Sequence, residues 1–194
     1  MKRELTNADI LSYEAYEAVR AEKRGAIIAT KKNRRVAVGP YATLYFENFD
    51  TMWLQVQEML RIEKGGAEQL VDELRAYAPL VPKGSELVAT MMLEIEDPQR
   101  RAAVLATLGG IQDTIELRFG GEVIKADAER DLDYTSADGK ASSVQFVHFP
   151  FTPQQILKFR APNTETIIAM THKNYGHMAM VPEAVRQELL KDLG

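Results

Sequence analysis

Apolar residues recur along this chain in two rhythms, a helical one and an alternating one, and the switches between them predict a mixed α+β fold. A helix is expected to open at Thr6, whose hydroxyl can cap the amide near Asp9, and to run to about Arg24, where Gly25 stops it. Residues 26–29 then have the apolar character of a short buried strand or a turn into the core, and residues 31–35 read as a charged loop. Val36 to Pro40 is a second extended piece closed by a Gly-Pro breaker, and Thr43 to Asn48 alternates as a strand. Asp50 or Thr51 can cap the next helix, which carries Met52, Trp53, Val56, Met59 and Leu60 on one face. Gly65-Gly66 ends it, and a further helix runs from about Glu68 to near Pro79.

In the second half, Leu87, Ala89, Met91, Leu93 and Ile95 alternate with more polar neighbours and predict a strand over residues 86–96. Asp97-Pro98 opens a helix to about Leu108, with Gly109-Gly110 as its stop. Residues 115–119 and 123–126 form a predicted hairpin around Gly120-Gly121. Residues 127–138 are charged, poor in apolar positions, and expected to be an exposed connection. A strand over 143–149, a short helix over 152–159, a strand over 166–171 and a last helix from Pro182 complete the reading. The late strands are separated by turns and one short helix, so the sheet is expected to be mainly antiparallel, flanked by N-terminal helices and a C-terminal helix. With no repeat and no long linker, residues 1–194 read as a single domain.

Composition narrows the chemistry. A 45% hydrophobic content over 194 residues supplies a sizeable core and sets the chain apart from disordered classes. The formal net charge of -4 argues against nucleic acid or an anionic membrane as the main partner. The absence of cysteine removes disulfides, thiolate nucleophiles and thiolate-held metal, so any metal must use His and carboxylate. With neither a signal-peptide core segment nor an apolar run of membrane-spanning length, a cytoplasmic location is expected.

Two polar clusters carry the candidate chemistry. Gln57, Glu58 and Arg61 project away from the Trp53-Val56-Leu60 stripe and share a polar helix face. That face reads either as a solvated surface with an ordinary ion pair or as a cover over the sheet edge, where Glu47 or Asn48 contributes. In the second case Glu58 is a base or metal ligand and Arg61 an anion clamp. The other cluster is histidine. His148 follows Val144 and Phe146, and His172 follows Ile168 and Met170, so both are expected to point coreward; His177 is expected in a loop before the last helix. Such histidines are more often hydrogen-bonded core than ligands. If they bind metal, His172 and His177 lead, His148 is third, and Glu58 or Glu94 completes a shell suited to iron, manganese or zinc. Lys31, Lys32, Arg34 and Arg35 form the dense basic run, a solvated loop or a partner- and anion-binding patch. The phosphate-binding, nucleophile-elbow and dinucleotide signatures are missing.

The string from Phe46-Glu47-Asn48 through Gln55 to Glu63 resembles the bacterial domain-of-unknown-function family DUF 3501. So do Arg34 to Gly39, Glu73 to Tyr77 with Pro79 to Pro82, and His172 to His177. Through the rubrerythrin-like and iron–sulfur proteins whose genes accompany that family, the resemblance implies a role around peroxide or electron-transfer chemistry, with redox or iron–sulfur proteins as partners. Three functional expectations stand together. One is a metal- or cofactor-binding accessory of a redox or oxidative-stress system; another is a cofactor-free interaction or regulatory module docking through Gln57, Glu58, Arg61 and the basic run. The third is an enzyme acting on an anionic small molecule, with Glu58 as base and Arg34 or Arg61 as clamp.

Overall fold

The computed structural model describes residues 2–129 and 133–194. Helices α1 (Tyr13–Lys31), α2 (Phe49–Glu63) and α3 (Gly66–Tyr77) precede or interrupt strands β1 (Arg35–Val38), β2 (Ala42–Glu47) and β3 (Glu86–Leu93). After α4 (Pro98–Leu105) come β4 (Ile115–Phe119), β5 (Glu122–Lys125), the two-residue β6 (Asp127–Ala128) and β7 (Val144–Pro150). Then α5 (Pro153–Arg160), β8 (Thr166–His172), β9 (Tyr175–Met180) and α6 (Glu183–Leu189) complete the order. Two sheets result, β1-β2-β3-β7-β6 and β5-β4-β8-β9, and every strand pairing among the described residues is antiparallel. The α+β reading holds, with two sheets in place of one.

Alternation along the strands sorts side chains into two cores. Leu44, Phe46, Ala89, Met91, Val147 and Phe149 leave one face of the five-stranded sheet to pack with Leu117, Ile168 and Met170 of the four-stranded sheet. On its opposite face, Val88 meets Met52, Trp53 and Val56 of α2 and Tyr16 and Ile27 of α1. The central strand β3 is therefore buried on both sides. The Trp53 indole N–H also donates to the Asp9 carbonyl at 2.9 Å, tying the N-terminal segment to α2.

Several local expectations change. Thr6 caps a short 3-10 helix, Asn7–Asp9, and the long helix starts later, with Ser12 accepting from the Ala15 amide. That helix runs through Gly25, beside which there is open space, and places Ile27 in the core. Burial along a continuous face outweighs the cost of about 1 kcal/mol for one helical glycine. The basic run spans the last residue of α1, the turn 32–34 and the first residue of β1, and Arg34 is buried instead of solvated. His177 lies in β9, not in a loop. Residues 130–132 of the expected exposed connection lie outside the described residues; beside them, β6 pairs with β7 and Tyr134 is buried. No helix among the described residues is long and apolar enough to cross a membrane.

Candidate functional site

The polar face of α2 is covered by α1. Tyr16, Arg20 and Arg24 stand four apart on α1, so they form one row along a helix face, and all three reach Glu58. Arg20 grips the carboxylate with two nitrogens at 2.7 and 2.9 Å, the Tyr16 hydroxyl donates at 2.5 Å and Arg24 donates at 3.2 Å. The Arg20 guanidinium, helped by the Tyr16 hydroxyl and opposed by burial, holds the Glu58 carboxyl down at about 2. Burial and the adjacent carboxylate push the Tyr16 phenol well above its ordinary range. A general base works best with a pKa near the operating pH and a free lone pair. Glu58 has neither, so it is a helix-to-helix tie and not the expected base. Arg61 likewise pairs with Glu17 of α1, which removes the expected freely available clamp. α1 thus covers Gln57 and most of Glu58, whereas the Arg61 side chain stays 30% exposed.

Beside this tie lies a mostly apolar cavity of about 530 Å³, walled by Ile10 to Tyr13 and Tyr16, by Gln57, Leu60 and Arg61 of α2 and Lys64 just beyond it, and by Ala67 and Leu70 of α3. Gln57 is only 2% exposed, and its amide nitrogen has no hydrogen-bond partner. Lys64, the left-handed C-cap of α2, sits 5.6 Å over the Tyr13 ring, and no carboxylate pairs with it among the described residues.

The histidines do not gather. His148 is in the five-stranded sheet, whereas His172 and His177 are in the four-stranded one. His148 lies on the helix-facing side with exposed Val144 and half-buried Phe146, opposite Val88 of the second core, and stays partly exposed there, while Val147 and Phe149 take the inter-sheet core. Its two ring nitrogens meet Glu86 and Glu129 at 2.9 and 3.0 Å. With carboxylates on opposite nitrogens, the imidazole is clamped between them and the two acids cannot share one ion with it. Burial alone pushes the His148 imidazole down, but Glu86 and Glu129 outweigh it and raise it. His172 does point coreward; its Nδ1 faces the Asn174 amide at 3.2 Å and its Nε2 the Gly109 carbonyl at 3.3 Å. His177 packs edge-on against Tyr175, with ring centroids 4.5 Å apart. Glu94, the alternative carboxylate, accepts from the Tyr45 hydroxyl. Among the described residues, no group of three or more His, Cys, Asp or Glu side chains is placed to hold a metal ion.

Arg34 is no anion clamp for an outside ligand. It is 1% exposed and donates to the Phe46 and Glu47 carbonyls at 3.0 and 2.9 Å and to the Asp192 carboxylate, locking the C-terminal 3-10 turn onto β2. Arg35 is exposed at the start of β1. Glu47 and Asn48 do not join Glu58. Asn48 caps α2, and Glu47 accepts from the hydroxyls of Thr51 and Thr90. Sequence reasoning missed Tyr16, Arg20 and Arg24 as partners of Glu58. The four-residue spacing was the available signal, but a row of donors on one helix does not reveal which acid faces it.

No curated protein matches the chain. A crystal structure from Burkholderia pseudomallei K96243, described as a novel protein of unknown function, is similar to it with a TM-score of 0.90 and 36% sequence identity, over 98% of this chain and 100% of that one. The sequence pattern of the protein of unknown function family DUF3501 matches residues 4–193, and the chain belongs to that family.

Proposed function

We propose that the chain binds a small molecule with an apolar body and an anionic head in the cleft between α1, α2 and α3. The observation that carries this reading is the buried, unpartnered Gln57 amide on the wall of an apolar cavity of about 530 Å³. An unmade buried hydrogen bond costs about 1–3 kcal/mol, a cost that a ligand accepting from the amide relieves. The volume falls in the ordinary range for small-molecule sites, and a few polar groups on apolar walls are their usual makeup. Lys64 lines the same cavity, is free of an acidic partner among the described residues, and supplies positive charge for the head. The expected metal-binding redox role has no comparable support, because the histidine nitrogens are dispersed or already engaged.

Titration of the intact chain with 4-phenylbutyrate and with its neutral amide, followed by calorimetry and melting temperature, tests the reading. Saturable binding of the carboxylate, weakened by Lys64→Glu and by Gln57→Leu, is expected. Equal binding of acid and amide, no binding of either, or affinity untouched by both substitutions overturns it.

A further inference from the structure

A second cavity lies between α2 and α3 and the helix-facing side of the five-stranded sheet. Its volume is about 250 Å³ and it is partly open to solvent beside Lys31 and Val144; Tyr45, Tyr77 and Phe146 supply aromatic walls, Met52 and Met92 thioethers, and Glu47 a carboxylate. Alternation along β2 explains the placement. Leu44 and Phe46 go into the inter-sheet core, so Tyr45 and Glu47 face the helices. Thr90 pairs with Tyr45 in register on β3, and therefore stands on the same face beside Glu47.

Glu47 is only 6% exposed. Its two oxygens accept from neutral hydroxyls, Thr51 at 2.6 Å and Thr90 at 2.8 Å. Among the described residues it makes no ion pair with Lys, Arg or His. Arg34 gives its Nε–H and Nη2–H groups to the Phe46 and Glu47 backbone carbonyls and to Asp192, and its Nη1 faces Glu188 at 3.6 Å. A buried carboxylate is costly unless a positive charge meets it. The N-terminus of α2, whose cap Asn48 follows Glu47 directly, offsets part of that charge. It leaves two acceptor positions on the carboxylate unused, since an ionised acid offers about four.

Aromatic faces around a carboxylate are the recognition chemistry of alkylated ammonium ions: the rings attract the diffuse positive charge and the acid supplies its counter-charge. We propose that this cavity is a ligand site for a small alkylated ammonium ion, with Glu47 as the counter-charge. The site is smaller than those for drug-sized ligands, which fits a compact cation. Lys31, exposed at the end of α1, is the cation that lines the cavity, and it disfavours ligands carrying a second positive charge. The proposal is independent of the α1–α2–α3 cleft, with which this cavity shares no lining residue.

The test is calorimetric titration of the intact chain with choline and with 3,3-dimethylbutan-1-ol, its uncharged isostere. Choline is expected to bind in the millimolar range or tighter, and the isostere about tenfold more weakly or not at all. Glu47→Gln keeps the shape, removes the charge, and should abolish that preference. Should this variant fail to fold, Lys31→Glu tests the same electrostatics from an exposed position and should tighten choline severalfold while leaving the isostere unchanged. Equal affinity for the two probes, no choline binding, a preference that survives Glu47→Gln, or choline affinity indifferent to Lys31→Glu overturns the proposal.

Discussion

Replacing Glu58 by Gln should weaken the α1–α2 tie by an amount that depends on pH in a defined way. The substitution keeps the side-chain length but removes the charge shared by Arg20, Arg24 and the Tyr16 hydroxyl. A carboxyl lowered from 4.5 to about 2 carries at most about 3.5 kcal/mol at roughly 1.4 kcal/mol per pH unit. The Arg20 and Arg24 side chains are 26% and 43% exposed, so solvent screening reduces this to about 1–2 kcal/mol. Because the folded value is depressed, the contribution is fully present above 4.5 and disappears as pH falls through about 2. Urea denaturation read by Trp53 fluorescence is the assay. Trp53 is the single tryptophan and stands edge-on to Tyr16 with ring centroids 5.7 Å apart, so it reports on this interface. The gap between wild type and Glu58→Gln should be largest at neutral pH and less than about half as large near pH 3. A gap that stays constant over that range would refute the electrostatic reasoning and assign the effect to packing. A gap below about 0.5 kcal/mol at neutral pH would show that solvent screens the tie completely.

Arg34→Met should cost about 3–5 kcal/mol in chemical denaturation, since it leaves the buried Asp192 carboxylate without its guanidinium. Adding Asp192→Leu should recover much of that loss, and a double variant as unstable as the single one would contradict the account. For His148, an NMR titration should find the imidazole above 6.5, because Glu86 and Glu129 raise it. Stability from the raised imidazole is complete below 6.5 and fades as pH rises through the folded value; that from the lowered Glu86 is present above 4.5 and fades below it. The wild-type advantage over His148→Ala should therefore peak between those two values, and a titration at or below 6.5 would remove the clamp. Gly39→Ala should destabilise by about 1–3 kcal/mol. Its backbone has φ +69°, and an added Cβ would come within 2.6 Å of the His177 ring and 2.9 Å of the Tyr175 hydroxyl. Combining it with His177→Ala should relieve part of the loss, and a Gly39→Ala protein as stable as wild type would sink the steric argument.

Periodicity in the sequence determined most element types, because one-sided burial imposes its rhythm on residues that are neighbours in the chain. The strand around β3, the α2 stripe of Met52, Trp53 and Val56, and the hairpin of β4 and β5 are all legible in this way. Gly25 misled for the same local reason: its cost is small and visible in sequence, whereas the gain from carrying Ile27 into the core belongs to the folded molecule. For His148, period two states only which residues share a face; the packing of Val147 and Phe149 against the second sheet decided which face enters the inter-sheet core and which turns to the helices. The sequence also marked Gln57, Glu58 and Arg61 as a polar group on one side of α2. Only tertiary structure laid α1 across that side, turned Glu58 into a structural anion, left the Gln57 amide unpartnered, and buried Glu47 among hydroxyls and rings. Spacing along one element follows from covalent geometry, whereas the partner across an interface is chosen by the packing of the whole chain, and the chemistry of this protein's polar residues depends on those partners.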